Sequence, residues 1–143
     1  MIGFQFEETM TGTYRRDGSD HRFEFRLRAR QPSMLSFLRD RTATIEGHVD
    51  AAGLATHAVL AGTLLLDPIL GRRIRYDFGF TGDDGESYRF AGQKDVDPHH
   101  PVDTMTTLPG EILDDSGAVY ATALVRFDPR SLPSFLGSFR PLL

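Results

Sequence analysis

The sequence predicts an all-β fold: about eight antiparallel strands in meander order, closed into a barrel, with a short C-terminal helix. Three observations predict it. Polar and apolar residues alternate with a period of two through most of the chain. Turn signals such as Asp17-Gly18 and Asp83-Asp84-Gly85 separate the alternating runs. No run has the length and periodicity of a long helix. Hairpin-linked strands of this kind build a barrel or a sandwich. The meander order, and the removal of exposed edges by closure, favour the barrel; a β-sandwich is the alternative.

The first strand alternates Phe4, Phe6, Glu8, Met10, Gly12 and Tyr14 against Gln5, Glu7, Thr9, Thr11, Thr13 and Arg15. The second sets Phe23, Phe25, Leu27 and Ala29 against Arg22, Glu24, Arg26, Arg28 and Arg30. Pro32 to Arg39 breaks the alternation, and Met34, Leu35, Phe37 and Leu38 suit one or two helical turns. Strand three covers about Ala43 to Val49, and strand four about His57 to Leu66, ending at Asp67-Pro68. Strand five, Arg73 to Phe80, alternates Ile74, Tyr76, Phe78 and Phe80 against Arg73, Arg75, Asp77 and Gly79. Strand six runs from Ser87 to Val96. After a loop rich in Pro, His and Asp, strand seven is expected from Thr104 to Leu113, with Pro109-Gly110 placed to bend or bulge it. Strand eight covers Val119 to Phe127. Ser131 then caps a helix with Pro133 in its first turn, and Leu132, Phe135, Leu136, Phe139 and Leu143 share its apolar face. Such a helix plugs a barrel mouth or packs on the outer wall; docking a partner is the alternative. The stretches around Ser36–Leu38 and Ser134–Leu136 both run from a strand through Pro and Ser into a small apolar helix, the form of a duplicated half-barrel or of coincidence.

A length of 143 residues fits one domain, residues 1–143, which buries enough surface to need no staples. The chain has no cysteine, which removes disulfides, thiolate metal sites and cysteine nucleophiles and fits a reducing, cytoplasmic setting. The start, MIGFQFEETM, lacks a basic segment followed by an apolar run, so no signal peptide is expected. The longest apolar stretch, Leu60 to Leu70, is interrupted by Gly62, Asp67 and Pro68, so no membrane span is expected. Net charge is −4, divided as +2 over residues 1–75 and −6 over residues 76–143, an acidic balance that argues against a nucleic-acid partner. The stripe of Arg22, Arg26, Arg28 and Arg30 carries no interleaved aromatics and reads as a solvated outer wall.

The chemical signal is polarity on apolar faces. Glu8 shares its face with Phe4, Phe6 and Met10; Lys94, the only lysine, shares its face with Tyr88, Phe90, Gly92 and Val96. If both faces point inward, the barrel holds a carboxylate and an ammonium, which must pair or change protonation state. Tyr14, Tyr76 and Tyr88 have the same inward parity and are placed to hydrogen-bond to the pair. The pair reads first as a structural salt bridge or a barrel-end pair with water access; the functional alternative is a polar anchor in an apolar cavity, since a few convergent polar groups among apolar walls is the pattern of a small-molecule site. The segment from Asp95 to Leu108 contains Asp95, Asp97, His99, His100 and Asp103, metal-ligand types at a spacing that fits no metal motif, so it reads as an ordinary solvated loop, with a ligand-contacting mouth loop as the alternative, and no metal is expected. His21, His48 and His57 are scattered and read as surface or satisfied positions. No G-x-S-x-G, phosphate-binding Gly loop or H-E-x-x-H occurs.

Three stretches carry a resemblance: F-x-F-x-E-x-M-x-G from Phe4 to Gly12; R-x-R-Y-x-F-x-F and Y-x-F-x-G-x-K, ending at Phe80 and Lys94; and D-T-M-T-T-L from Asp103 to Leu108. In this order they resemble a β-rich accessory region of some bacterial proteins related to the glucose–methanol–choline oxidoreductases of cholesterol-oxidase type, also found near lipases. Glu8, Gly92, Lys94, Thr106 and Thr107 match best; a tryptophan expected before Asp103 is missing, since the chain has no Trp. The resemblance implies a stand-alone, lipocalin-like barrel near lipid or sterol metabolism. The flavin-binding part has no counterpart here, so no redox activity and no cofactor carry over.

The expected function is therefore a binding module for a small apolar or amphipathic molecule. Its ligand would meet Glu8, Tyr14, Tyr76, Tyr88, Lys94, Asp103 and Thr106. The alternatives are a small barrel isomerase or cyclase using Lys94, Glu8 or a tyrosine as acid and base, and a non-catalytic module that docks on a partner enzyme or on a second copy.

Overall fold

The structure is a computed structural model that describes residues 2–142. Eight antiparallel strands follow one another as β1 (Gly3–Arg16), β2 (Ser19–Gln31), β3 (Thr42–Ala51), β4 (Ala55–Asp67), β5 (Arg73–Thr81), β6 (Ser87–Asp95), β7 (Thr107–Leu113) and β8 (Val119–Phe127). Each pairs with the next, and β8 pairs back onto β1, so the sheet closes as a meander barrel. The expected barrel is thus observed, and the sandwich is not. Short helices α1 (Met34–Asp40), α2 (Pro101–Thr106) and α3 (Leu132–Ser138) and a ninth strand, β9 (Arg140–Leu142), complete the chain.

Local chemistry accounts for the connections. Asp17 and Gly18 both adopt positive φ, 51° and 79°, as the tight β1–β2 hairpin requires. Helix α1 starts at Ser33, whose hydroxyl accepts from the Ser36 N–H at 3.2 Å, and stops at Arg41, left-handed at φ 59°. His57, at φ 44°, is the extra residue of a bulge between β3 and β4, and its N–H donates to Asp50 Oδ1 at 2.7 Å.

Four sequence expectations are corrected. Strand seven does not begin at Thr104: residues 101–106 form α2, with Pro101 in its first turn and the Thr104 and Thr106 hydroxyls bonded back to the His100 and Val102 carbonyls at 2.8 and 2.6 Å. Pro109-Gly110 keeps its register with Leu124-Ala123; the irregularity falls at Ile112/Leu113 instead. The C-terminal helix ends at Ser138, so Phe139 lies beyond it, and Leu143 is outside the described residues. Ser131 does not cap it by a side chain; its hydroxyl donates to the Asp128 carbonyl at 2.6 Å, closing a single 3-10 turn ahead of α3.

The two ends of the barrel differ. One end is closed by the tight β1–β2, β3–β4, β5–β6 and β7–β8 hairpins and filled with aromatic rings. Phe25 touches Phe78 and Phe90 at centroid distances of 5.1 and 5.7 Å, and Phe23 meets Phe90 at 5.5 Å. At the other end the wall opens twice. Pairing between β6 and β7 stops at Gly92 and Gly110, and α2 lies beyond that point. Pairing between β8 and β1 covers only Met10 to Arg15, leaving Gly3 to Thr9 without a β8 partner. The C-terminal segment closes this second gap. β9 pairs with Gly3 to Gln5, the Ser138 hydroxyl accepts from the Glu7 N–H at 2.7 Å, and Phe135 and Phe139 lie 5.9 and 5.1 Å from Phe6. Helix α3 is therefore a patch in the barrel wall. Among the described residues, no helix is long and apolar enough to cross a membrane.

Candidate functional site

The splayed end encloses a cavity of about 950 Å³ that opens at the barrel mouth. Its walls come from inward positions of the strands (Phe4, Phe6, Leu66, Ile74, Phe127) and from the mouth segments (Phe37, Ile69, Leu70, Met105, Leu132, Phe135, Phe139). The mouth segments also carry most of the exposed large apolar side chains, among them Leu35, Leu38, Ile69, Leu70, Val102 and Leu136. An apolar collar thus surrounds an apolar cavity.

The polar groups converge on the cavity floor. Tyr76 on β5 and Glu8 on β1 belong to strands on opposite sides of the eight-stranded ring. Tyr76 reaches across the lumen and donates its hydroxyl proton to Glu8 Oε1. Lys94 pairs with Ile74 in the β5–β6 register, which sets it diagonal to Tyr76 on the same face. Its Nζ donates to Tyr76 Oη at 3.1 Å and lies 4.0 Å from Glu8 Oε2. Lys94 and Glu8 are 3% and 8% exposed, so the pair is buried, yet both line the cavity. Among the described residues, no side-chain nitrogen or oxygen wholly shut off from solvent lacks a hydrogen-bond partner.

Burial sets the electrostatics. It holds the Lys94 ammonium below the usual lysine range, against the opposing pull of Glu8. Burial, and then the charge and hydrogen bond of Glu8, push Tyr76 well above the usual phenol range, so it stays a proton donor. The three side chains form a hydrogen-bonded floor; Arg41, Asp67 and Thr106 are the other polar residues on walls that are mostly apolar.

Of the residues singled out in the sequence, Glu8, Tyr76, Lys94 and Thr106 meet at this cavity. Tyr14, Tyr88 and Asp103 do not, which corrects their placement. Tyr14 and Tyr88 face inward but at the closed end, where Tyr14 donates to the Ala52 carbonyl and Tyr88 to Asp84 Oδ2 at 2.7 Å. That bond raises the Tyr88 phenol to about 12. Asp103 is exposed on α2 and does not line the cavity. The sequence reading missed Phe37, Ile69, Leu70, Met105, Phe135 and Phe139 as wall residues. The apolar character of the two Ser-Phe-Leu segments was the available signal: Phe37 and Phe135 flank β1 from either side, Phe37 lying 5.0 Å from Phe4.

Elsewhere the polar groups are ordinary. The arginine stripe is exposed on the outer wall, where Arg22 pairs with Glu24 at 2.8 Å and Arg28 with Glu7 at 3.1 Å. His48 and His57 stack on the outside at 4.0 Å. Among the described residues, no cluster of three or more His, Asp or Glu is placed to hold a metal. No protein-family model matches the chain, and neither does any curated protein or solved structure.

Proposed function

We propose that the protein is a small-molecule binding module that holds an apolar or amphipathic ligand in the open half of its barrel, with the ligand's polar end against Glu8, Tyr76 and Lys94. One observation carries this reading: a mostly apolar cavity of about 950 Å³ has at its floor the only buried ion pair among the described residues. That volume lies near the top of the ~300–1,000 Å³ range of ligand pockets, and apolar walls with few convergent polar groups are the usual composition of such sites. An eight-stranded barrel closed at one end and open at the other is also the architecture of lipocalins. The resemblance carried by Glu8, Gly92, Lys94, Thr106 and Thr107 favours a lipid- or sterol-like ligand and a bacterial setting beside a lipid-modifying enzyme. The lack of cysteine favours the cytoplasm.

The test is titration of the full chain with a neutral naphthylamine fluorophore, alongside native mass spectrometry of the purified protein. Saturable one-to-one binding is expected, and Leu66→Trp, which places an indole in the cavity, abolishes it. Absence of saturable binding, or equal binding by a folded Leu66→Trp variant, contradicts the proposal.

A further inference from the structure

We infer that the polar end of the ligand is an uncharged hydroxyl seated between Lys94 Nζ and Glu8 Oε2. The inference rests on the binding-module reading and names the ligand class: an apolar body bearing an alcohol.

The charge balance comes first. At the floor, Glu8 and Lys94 cancel one another, wherever the proton sits between them; Arg41 and Asp67, the other charged residues lining the cavity among the described residues, cancel likewise. A carboxylate ligand would add an anion beside Glu8, and an ammonium ligand a cation beside Lys94. Either would bury a net charge among phenylalanines and leucines, which is strongly unfavourable.

The hydrogen-bond inventory comes second. A lysine ammonium has three N–H donors and no acceptor. Among the described residues, Lys94 uses one of them, on Tyr76 Oη. Glu8 Oε1 is taken by Tyr76, whereas Oε2 accepts no hydrogen bond within the described residues. The floor therefore offers spare donors and a spare acceptor side by side. A hydrocarbon uses neither. A ketone accepts from Lys94 but gives Oε2 nothing. A hydroxyl accepts from Nζ and donates to Oε2 through one atom.

The spacing comes third. The Nζ–Oε2 separation of 4.0 Å is too long for a direct bond. One oxygen at about 2.8 Å from each atom spans it. From that oxygen the apolar body runs past Phe6 and Phe4 toward the open mouth, where Phe135 and Phe139 close the side.

The experiment displaces the naphthylamine fluorophore from the full chain with five probes of equal chain length: n-decane, n-decanol, the methyl ketone, decanoate and decylammonium. Hydrogen bonds to charged groups favour the alcohol over decane, the ketone and both ions by about 10- to 100-fold. Tightest binding by either ion, or an alcohol within about threefold of decane, overturns the inference. If decane binds and the alcohol gains nothing, the hydroxyl assignment fails and the cavity reading stands. If no probe displaces the fluorophore, both fail. The double variant Glu8→Leu/Lys94→Met keeps decane binding and loses the preference for the alcohol; a preference retained in that variant also overturns the inference. The wild-type series decides the matter even if the variant does not fold.

Discussion

At the scale of residues, the Glu8–Tyr76–Lys94 set combines structural and binding roles. Removing one member of a buried ion pair leaves a charge without compensation and costs about 3–5 kcal/mol, with the low end expected here because the cavity opens to water. Lys94→Met alone should therefore lower the stability to unfolding by about 3 kcal/mol. The double variant Glu8→Leu/Lys94→Met should return to within about 1 kcal/mol of the parent. Urea unfolding of the four proteins of this cycle measures both. A second prediction concerns alkali. Tyr76 is held well above its ordinary value of 10.0, so the unfolded chain loses this proton first. Its contribution to stability is intact below pH 10 and falls as the pH rises further. Lys94 acts with the opposite sign: its pKa is depressed, so its burial penalty eases as the pH climbs toward the unfolded value of 10.5. Tyr76→Phe should reduce the loss of stability above pH 10, the raised Tyr14 and Tyr88 phenols keeping a share of it, while leaving the Lys94 effect, as read from thermal melts across that range. Glu8 and Lys94 were legible in the sequence because period-two parity marks which face a side chain takes. Parity does not report height along the barrel. Tyr14 and Tyr88 share the inward parity of Tyr76 but sit at the closed end, bonded to Ala52 and Asp84.

At the scale of elements, the strands were legible wherever alternation ran between turn residues: β8 falls at Val119–Phe127, as expected. The misread pieces are those that tertiary context decides. Thr104 and Thr106 are β-branched and continue the alternation of strand seven, yet β6 and β7 diverge at Gly92 and Gly110, so the chain there has no β6 neighbour to pair with and turns into α2. β9 has only three residues with Pro141 in the middle, and nothing local marks it as a strand. It forms because β1 offers an unpaired edge at Gly3 to Gln5, and an edge position tolerates proline. The same edge gives α3 and β9 their role as a wall patch. Deleting residues 129–143 should leave the far-ultraviolet β-sheet signal in place, abolish binding of the naphthylamine fluorophore, and promote self-association through the bared β1 edge. Sedimentation of the truncated chain checks the last point. Binding that survives the truncation would show that the patch is not part of the cavity.

At the scale of the whole molecule, one sheet does two things because it splays. Tight hairpins and a stack of phenylalanines fill the closed end, which anchors the fold. The mouth end, opened at the β6–β7 and β8–β1 seams, is left hollow and lined by aromatic and aliphatic side chains. The buried Glu8–Tyr76 bridge marks the boundary between the two halves. The measurement that tests this division most directly is the structure of the protein in complex with n-decanol. The account predicts the alcohol in the mouth-end cavity, its oxygen within hydrogen-bond reach of both Lys94 Nζ and Glu8 Oε2, and its chain between Phe4, Phe6 and Phe135. A cavity filled by the protein's own side chains, with the alcohol bound elsewhere or not at all, would contradict it.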